Sequence, residues 1–383
     1  MTSIVFDRIV IGSSPLAVMH AVKFSRDGLK TALVEKEEQF GGLWQSCLLE
    51  DVGKTECACH LIEFYAGSYE ILSALTGVAF ERLSPQPIKV LEDGRHLPYT
   101  TRLDIFKEPF HLLILFLGLI FIRCINTVLP SQCKIHKGKN LSFRKLSERF
   151  SIVTRYRLLK ILNFSGIKAP MGGYRSFPEQ LREAVVENGI HLIQDRVDVI
   201  NENSDNLCEI LLASGKTLQA KRTYLTESVQ LKSVNGISFK PFQSGKALKE
   251  YWHVPVSIDY SCISLLNSYI HLPKNKYFHR ITVSHKYYSS KSNQTKVLFL
   301  IQTRSNPALI ENLGEKIVSL LEFCRVVTKK QEIKLHAPFS GTFSSQSLDL
   351  SETYDHFGQT IRVIRSVGDI SKSIILNPEI MVA

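Results

Sequence analysis

The chain has 383 residues, 44% of them hydrophobic and 22% charged, and it carries a formal net charge of +11. A chain of this length can bury a large core, as one large domain or two intertwined ones, and its composition is ordinary for a soluble globular protein. The basic residues are dispersed rather than gathered in dense runs, which argues against nucleic acid as a partner. An anionic membrane surface, a phosphorylated substrate and a surplus of solvated lysines all remain compatible with the charge.

The eight cysteines are scattered along the chain, which is typical of reduced cytosolic thiols rather than of a disulfide framework. The N-terminus runs almost directly into a predicted strand with no visible signal peptide, so we expect a cytoplasmic protein. Residues 57–60, CACH, lack the second Cys/His pair that a zinc site would need, and no metal site is predicted.

The first predicted elements form a βαβ unit. Residues 7–12, DRIVIG, are a short apolar run after a charged pair, which is typical of a parallel strand buried on both faces. Apolar residues recur at helical intervals over residues 16–24, and Gly28 stands where the helix would end. Residues 30–37, KTALVEKE, are predicted to form a second buried strand.

The turn between the first strand and the helix has the spacing of a dinucleotide-binding motif. Gly12, Ser14 and Ala17 occupy the three positions of the pattern G-x-G-x-x-G, and Pro15 stands at the first helical position. A helix N-terminus offers unpaired N–H groups to a pyrophosphate, and Glu35 at the end of the second strand can accept hydrogen bonds from ribose hydroxyls. The unit therefore predicts dinucleotide binding.

The stretch EKEEQFGGLWQS, residues 35–46, resembles the segment that follows the second strand in FAD-containing amine oxidases, protoporphyrinogen oxidases and UDP-galactopyranose mutases. The resemblance implies FAD as the cofactor, with Lys36 in the matching E-K pair. It also implies that Gly41 and Gly42 let the backbone pass against the flavin's diphosphate and ribityl chain. Leu43 stands where that superfamily usually has an arginine.

Further segments resemble the same superfamily in the same order. Residues 51–63, DVGKTECACHLIE, resemble the mutase segment that borders the flavin ring, with His60 at the matching histidine and Ala58 in place of a glycine. Residues 91–99 resemble the hairpin that follows soon afterwards in the mutases.

The segment FHLLILFLGLIFIRCI, residues 110–125, is the most apolar part of the chain. Its uncharged core, residues 112–122, is much shorter than the roughly 20 residues that span a bilayer. Two interpretations stay open: a buried helix, or a helix that dips into one leaflet or lines an apolar substrate site.

Residues 167–200 resemble the segment that re-enters the FAD domain of the superfamily. The resemblance places a turn at Gly172 and Gly173 near the flavin, and a backbone contact from Val197 to the adenine. Pro178 is predicted to open an amphipathic helix, followed by a short strand.

Short alternating strands and a helix near residues 307–324 are predicted beyond this block, and they would form the substrate-domain sheet. Within it, residues 275–288 resemble the mutase stretch in which an arginine points at the flavin and the substrate. Arg280 is the matching residue, and Ser284 and His285 stand near the position where an acid is normally found.

The C-terminal segment, residues 361–374, resembles the last FAD-binding turn of the superfamily, with Gly368 and Asp369 as the matching residues. The tyrosines that hold the substrate diphosphate in the mutases are replaced by Ile364 and Arg365, which weighs against a true mutase.

The predicted fold class is α/β, with a Rossmann-like FAD-binding domain interrupted by a helix-plus-antiparallel-sheet substrate domain. The predicted segments are 1–90, 167–235 and 351–383 for the FAD domain, 91–166 for an inserted helical region, and 236–350 for the substrate sheet.

The leading functional prediction is an FAD-dependent oxidoreductase that acts on a hydrophobic or glycosylated small molecule, with His60 and Arg280 as catalytic residues. One alternative is a redox-neutral flavin isomerase that acts on a nucleotide sugar, and the other is a non-catalytic flavoprotein fold kept as a binding subunit. The expected partner is a small-molecule substrate and no nucleic acid. A peripheral membrane contact through residues 110–125 and a homodimer both stay open.

Overall fold

The computed structural model describes residues 5–57, 62–65, 67–99, 110, 113, 117, 120, 164–203, 205–226, 229, 231–238, 249–267, 269–289, 291–327, 333–343, 360–364, 374 and 377–380.

The helices and strands of these residues alternate early in the chain and become almost all-β later. The helices are α1 (Pro15–Arg26), α2 (Ser68–Thr76), α3 (Phe177–Glu187) and α4 (Leu313–Phe323). The strands of the first half are β1 (Val5–Ile11), β2 (Thr31–Glu35), β3 (Ser46–Leu49), β4 (Gly53–Glu56), β5 (Ile62–Tyr65), β6 (Phe80–Arg82), β7 (Ile88–Val90), β8 (His96–Pro98), β9 (Phe164–Pro170) and β10 (His191–Gln194). The remaining strands are β11 (Val197–Glu202), β12 (Cys208–Leu212), β13 (Thr217–Thr226), β14 (Ser233–Val234), β15 (Ile237–Ser238), β16 (Lys249–Asp259), β17 (Tyr269–His271), β18 (Phe278–Ser289), β19 (Gln294–Thr303), β20 (Lys334–Leu335), β21 (Phe339–Phe343) and β22 (Ile361–Ile364).

The chain divides into two compact units. The first contains Met1–Glu63, Ser68–Tyr99 and Ile167–Ala383, and the second contains Phe64–Gly67 and Thr100–Gly166. Both large sheets belong to the first unit.

The first sheet has the strand order β10-β2-β1-β13-β12-β11-β14-β15, with β22 also paired to β13. Strands β10, β2, β1, β13 and β22 run parallel to their neighbours in this group. Their apolar runs are buried on both faces, as the sequence predicts: Ile9, Val10 and Leu33 are fully inaccessible to solvent. The sheet draws its strands from three separate parts of the chain.

The second sheet has the order β20-β16-β19-β18-β17-β7-β8, with β21 paired to β16. Its long central strands β16, β19 and β18 are antiparallel, and α4 packs Ile317 and Leu321 into the core on one face. The hairpin β3–β4 lies against the opposite face, where Leu49 and Val52 contact a small cluster around Leu298.

The predicted elements are observed with shifted boundaries. The βαβ unit, the hairpin β7–β8 and the helix that begins near Pro178 are confirmed. The helix predicted near residues 307–324 is shorter. It begins at Leu313 because Asn312 has a left-handed backbone conformation (φ 51°), and Pro307–Leu309 form a separate 3-10 turn.

The apolar segment 110–125 falls in the second unit, and four of its residues are described. Phe110, Leu113, Leu117 and Ile120 are helical, and the first three have 63%, 43% and 55% of their surface exposed. In the described part of the chain, no helix has both the length and the apolar character needed to cross a membrane.

Candidate functional site

The N-terminus of α1 lies at the carboxyl edge of the parallel strands. Ser14 caps the helix, since its side chain accepts a hydrogen bond of 3.3 Å from the amide of Ala17, and Pro15 occupies the first helical position. The first turn, all of which is described, contains no acidic residue. The positive end of the helix dipole is therefore not neutralised by the helix itself, and it can attract an anionic ligand.

Gly12 links β1 to this helix in a conformation that side chains rarely adopt. Its φ is +100°, and a Cβ atom built on it would lie 2.8 Å from Thr226 Oγ1. Thr226 ends β13, the neighbouring strand in the sheet. Gly12 thus allows the turn to pass close beside β13.

The second glycine turn packs directly on the first. The amide of Gly41 donates to the carbonyl oxygen and to the side-chain oxygen of Ser13, both at 3.1 Å. A Cβ on Gly42 would lie 3.9 Å from Ser14 Cβ. Both glycines have positive φ, and Leu43 continues the chain in a 3-10 turn. We call the surface formed by residues 12–15 and 41–42 the glycine cradle.

Glu35 lies at the end of β2, beside the cradle, and is 7% exposed. Its Oε1 accepts a hydrogen bond of 3.0 Å from the amide of Glu37, which fixes one carboxylate oxygen. The Lys36 side chain is about half exposed and forms an ion pair of 3.3 Å with Glu37. Burial of the Glu35 carboxylate next to a glycine turn suits an acceptor for hydroxyl groups.

The segment containing Val197 reaches the same end of β2. Gln194 pairs with Glu35 in the parallel register of β10 and β2, and the amide of Asp195 donates to the Glu35 carbonyl at 3.0 Å. Val197 begins β11 and is 3% exposed. The structure thus brings together two residues that are far apart in sequence and that the resemblance assigns to the adenosine end of FAD.

The Gly172–Gly173 turn is brought towards the cradle through aromatic contacts. The Trp44 ring, just after the second glycine turn, lies 5.6 Å from that of Tyr174 and 5.5 Å from that of Phe177. Both glycines of the turn have positive φ, and the amide of Gly173 closes it with a bond of 2.8 Å to the carbonyl of Pro170.

Three predicted site residues, His60, Gly368 and Asp369, lie outside the described residues. The chain leaves β22 at Ile364, which pairs with Thr226 in the parallel register. It therefore enters the segment that contains Gly368 and Asp369 from the same sheet edge as Gly12.

Arg280 lies in the second sheet, on β18, surrounded by polar and aromatic groups. Its Nε donates to Gln302 Oε1, and its guanidinium lies 5.8 Å from the centroid of the Tyr269 ring. Burial, and next the charge of Arg280, lower the pKa of His253 to about 3. Burial also lowers the pKa of His271 to about 4, with His279 and Arg280 adding to the effect. Arg280 is therefore a fixed cation among imidazoles that stay neutral at pH 7.

A third group of polar residues links the hairpin β3–β4 to β18, and the sequence pattern does not reveal it. Glu56 ends β4 and is 3% exposed, and burial raises the pKa of its carboxyl to about 8. Ser284 on β18 lies beside it, and the Ser284 hydroxyl in turn lies 3.0 Å from His285 Nδ1. A glutamate at a strand end is ordinarily exposed. The pairing of β3 with β4 and the packing of this hairpin on the second sheet contribute to its burial.

Comparison with solved structures shows that the fold is an established one. A Pyrococcus furiosus protein aligns over 96% of this chain and 95% of its own, with a TM-score of 0.58 and 14% identity. Reduced UDP-galactopyranose mutase aligns over 96% of this chain and 93% of its own, with a TM-score of 0.59 and 14% identity. A putrescine oxidase redesigned in its cofactor binding aligns over 98% of both chains, with a TM-score of 0.55 and 12% identity. No protein-family model and no curated protein matches the chain.

At these identities the likeness shows the fold alone. The chain has the mixed α/β fold of large sheets and few helices that these proteins share, and the resemblance read from the sequence is confirmed at that level.

Proposed function

We propose that the chain binds FAD and catalyses the two-electron oxidation or reduction of a small hydrophobic or glycosylated molecule. The observation that carries this proposal is the glycine cradle, in which two glycine turns from separate parts of the chain meet at an uncompensated helix N-terminus. Such a surface suits the diphosphate of a dinucleotide.

The donor and acceptor groups fit FAD along its length. The cradle would hold the diphosphate, Glu35 the ribose hydroxyls, and the backbone at Val197 the adenine. The Gly172–Gly173 turn and the segment with Gly368 and Asp369 would complete the site at the flavin end. Two observations support this orientation of FAD. The buried Glu35 carboxylate supplies hydrogen-bond acceptors at the ribose, and the first turn of α1, which has no acidic residue, supplies donors at the phosphates.

FAD, when bound, supplies the acceptor or donor of a hydride. The protein's own residues would then orient the substrate and exclude water. Arg280 is suited to hold an anionic group or to stabilise negative charge that develops during the reaction, because the buried Gln302 fixes its half-buried guanidinium. His60 is the other residue to which the sequence assigns a catalytic role, as a proton donor or acceptor.

A redox-neutral isomerase is the second candidate, and the fold likeness to reduced UDP-galactopyranose mutase supports it. Both candidates need the same cofactor and differ in whether substrate turnover leaves the flavin reduced. The interrupted arrangement of the FAD domain also belongs to this proposal. It is supported by the three separate chain segments that build the first sheet.

The first experiment titrates the purified protein with FAD and follows flavin absorbance and fluorescence. We expect saturable binding that Glu35→Ala weakens strongly. Glu37→Ala is the matched control, because that side chain is exposed and only its backbone amide contacts Glu35. A wild-type protein that does not bind FAD, or a Glu35→Ala variant with full flavin occupancy, would contradict the proposal.

A second measurement separates the two candidate reactions. Candidate electron donors are mixed with the FAD-loaded protein without oxygen, and flavin bleaching is recorded before air is admitted. Stoichiometric bleaching followed by oxygen uptake favours an oxidase. Conversion of a nucleotide sugar by pre-reduced protein, with no net change in the flavin, favours the isomerase.

A further inference from the structure

A buried polar cluster between the hairpin β3–β4 and β18 contains side-chain atoms that lack hydrogen-bond partners among the described residues. Three buried atoms, Ser46 Oγ, Glu56 Oε2 and His285 Nε2, have no hydrogen-bond partner among the described residues. Ser46 stands directly opposite Glu56 in the register of the hairpin. Leaving buried polar atoms unpaired is costly, so a bound molecule that supplies their partners is favoured at this position.

Ser284 connects the acid to the imidazole. Its Oγ lies 2.8 Å from Thr55 Oγ1 and 3.0 Å from His285 Nδ1. The same hydroxyl lowers the pKa of the Glu56 carboxyl, against the larger effect of burial. A side chain that donates to a carboxylate stabilises its ionised form, so Ser284 is placed to help Glu56 release and regain a proton.

Burial keeps both Glu56 and His285 uncharged at pH 7. Burial raises the pKa of Glu56 to about 8, and the nearby Cys47 adds to that rise. Burial, and after it the cation of Arg175, lower the pKa of His285 to about 4. A protonated acid and an uncharged imidazole therefore both lie next to Ser284, and Glu56 is the group that ionises just above neutrality.

The cluster adjoins the flavin end of the proposed site. Trp44, which follows the glycine cradle, contacts the ring of Tyr174. Ser46, which pairs with Glu56 in the hairpin, lies two residues after Trp44, and the amide of Cys57 donates to the carbonyl oxygen of Gln45 at 3.1 Å. The cluster thus lies next to Trp44, on the hairpin that follows the glycine cradle.

We propose that Glu56 is the catalytic base of this site, and that Ser284 and His285 are positioning residues that hold its carboxyl group. The inference rests on the proposed function, because it takes the bound molecule to be a substrate placed against the flavin. The substrate class is a molecule with an uncharged hydroxyl or amine N–H at the carbon that is oxidised.

The proton and electron balance of the step is simple. The ionised Glu56 carboxylate takes the proton of the substrate's O–H or N–H bond, while the hydride of the adjacent C–H bond leaves with its electron pair to FAD. The products are the carbonyl or imine, reduced flavin and protonated Glu56. A base with a pKa near the working pH is the efficient choice for such a step.

The test titrates the visible absorption of bound FAD from neutral to alkaline pH, so that it needs no known substrate. We expect a spectral step with a midpoint near the Glu56 pKa of about 8 in the wild type. Glu56→Gln should abolish the step. Glu50→Gln is the matched control and should keep it, because Glu50 lies on the same hairpin connection and is exposed. Ser284→Ala should move the midpoint up by about one pH unit, since a hydrogen bond to the carboxylate is lost.

The outcomes separate the inference from the proposed function. A wild-type protein without bound FAD contradicts both. A protein that binds FAD but shows no step, or a Glu56→Gln variant that keeps the step, overturns the role of Glu56 alone. If Glu56→Gln does not fold, the Ser284→Ala shift decides: an upward shift supports the role, and an unchanged midpoint overturns it.

Discussion

The glycine cradle is made of backbone, whereas the Glu56 cluster is made of side chains from separate strands. In the cradle, Gly12 and Gly41 adopt positive φ values, and the amide of Gly41 joins the two turns by donating to Ser13. In the cluster, β4 supplies Glu56, and β18 supplies Ser284 more than 200 residues later. A backbone site tolerates few substitutions at its turns but is indifferent to most side chains around it. A side-chain site depends on how two sheets pack, and its properties can be tuned one residue at a time.

The largest effect is expected from Gly12→Val, which should remove FAD binding altogether. The substitution forces a Cβ to within 2.8 Å of Thr226 Oγ1 at a φ of +100°. That conformation alone costs about 1–3 kcal/mol for a residue with a side chain, and the valine would enter the space of the diphosphate. Flavin occupancy and thermal unfolding of the purified variant measure both effects.

Gly314→Ala is the matched control for this substitution. Gly314 lies in α4, has no positive φ, and a Cβ there would meet Leu335 Cδ1 at an ordinary 3.6 Å. Full flavin occupancy in Gly12→Val would show that the cradle does not hold the diphosphate.

The next largest effect is a loss of stability at alkaline pH, and it should arise from Glu56 in the side-chain cluster without changing the glycine cradle. Glu56 has a pKa of about 8, well above its ordinary value of 4.5, so the folded protein binds this proton more tightly than the unfolded chain. Stability from this group is present at low pH and is lost as pH rises towards 8. At pH 9, Glu56→Gln should raise the free energy of unfolding by about 2–5 kcal/mol relative to its effect at pH 5. Urea unfolding at the two pH values measures this, and Glu50→Gln should show no such difference.

A buried histidine in the second sheet should make the protein lose stability at acidic rather than alkaline pH. His253 is fully buried, and burial lowers its pKa to about 3. A lowered histidine pKa gives stability that is present above the unfolded value of 6.5 and is lost as pH falls. Between pH 6.5 and about pH 5 the protein should lose about 2 kcal/mol through this residue. If the free energy of unfolding of a His253→Gln variant falls between these pH values as much as that of the wild type, His253 is not the cause.

The contrast also explains how far the sequence alone leads. The βαβ unit, the turn at Gly12 and the burial of Glu35 follow from a local pattern of about thirty residues, because turn chemistry and strand periodicity are short-range. Glu56 could not be found this way. Its burial depends on the packing of the β3–β4 hairpin against β18, and that contact joins residues more than 200 positions apart. In the sequence, Ser284 and His285 stand near a position where the superfamily has an acid, and the acid that the structure places beside Ser284 comes from another strand.

The smallest effect on folding is expected in the second unit, where the apolar stripe of Phe110, Leu113 and Leu117 is proposed to touch a membrane surface. These side chains are 63%, 43% and 55% exposed and follow helical spacing. Replacing Leu113 and Leu117 by Gln should change the free energy of unfolding by less than about 0.5 kcal/mol each, as is usual at exposed positions. The double variant should nevertheless lose co-sedimentation with anionic lipid vesicles, because buried apolar area drives interfacial binding. Leu309→Gln, at a site that is 78% exposed in the first unit, is the control and should still co-sediment. Unfolding or aggregation of the Leu113/Leu117 variant would show instead that the stripe is packed inside the protein.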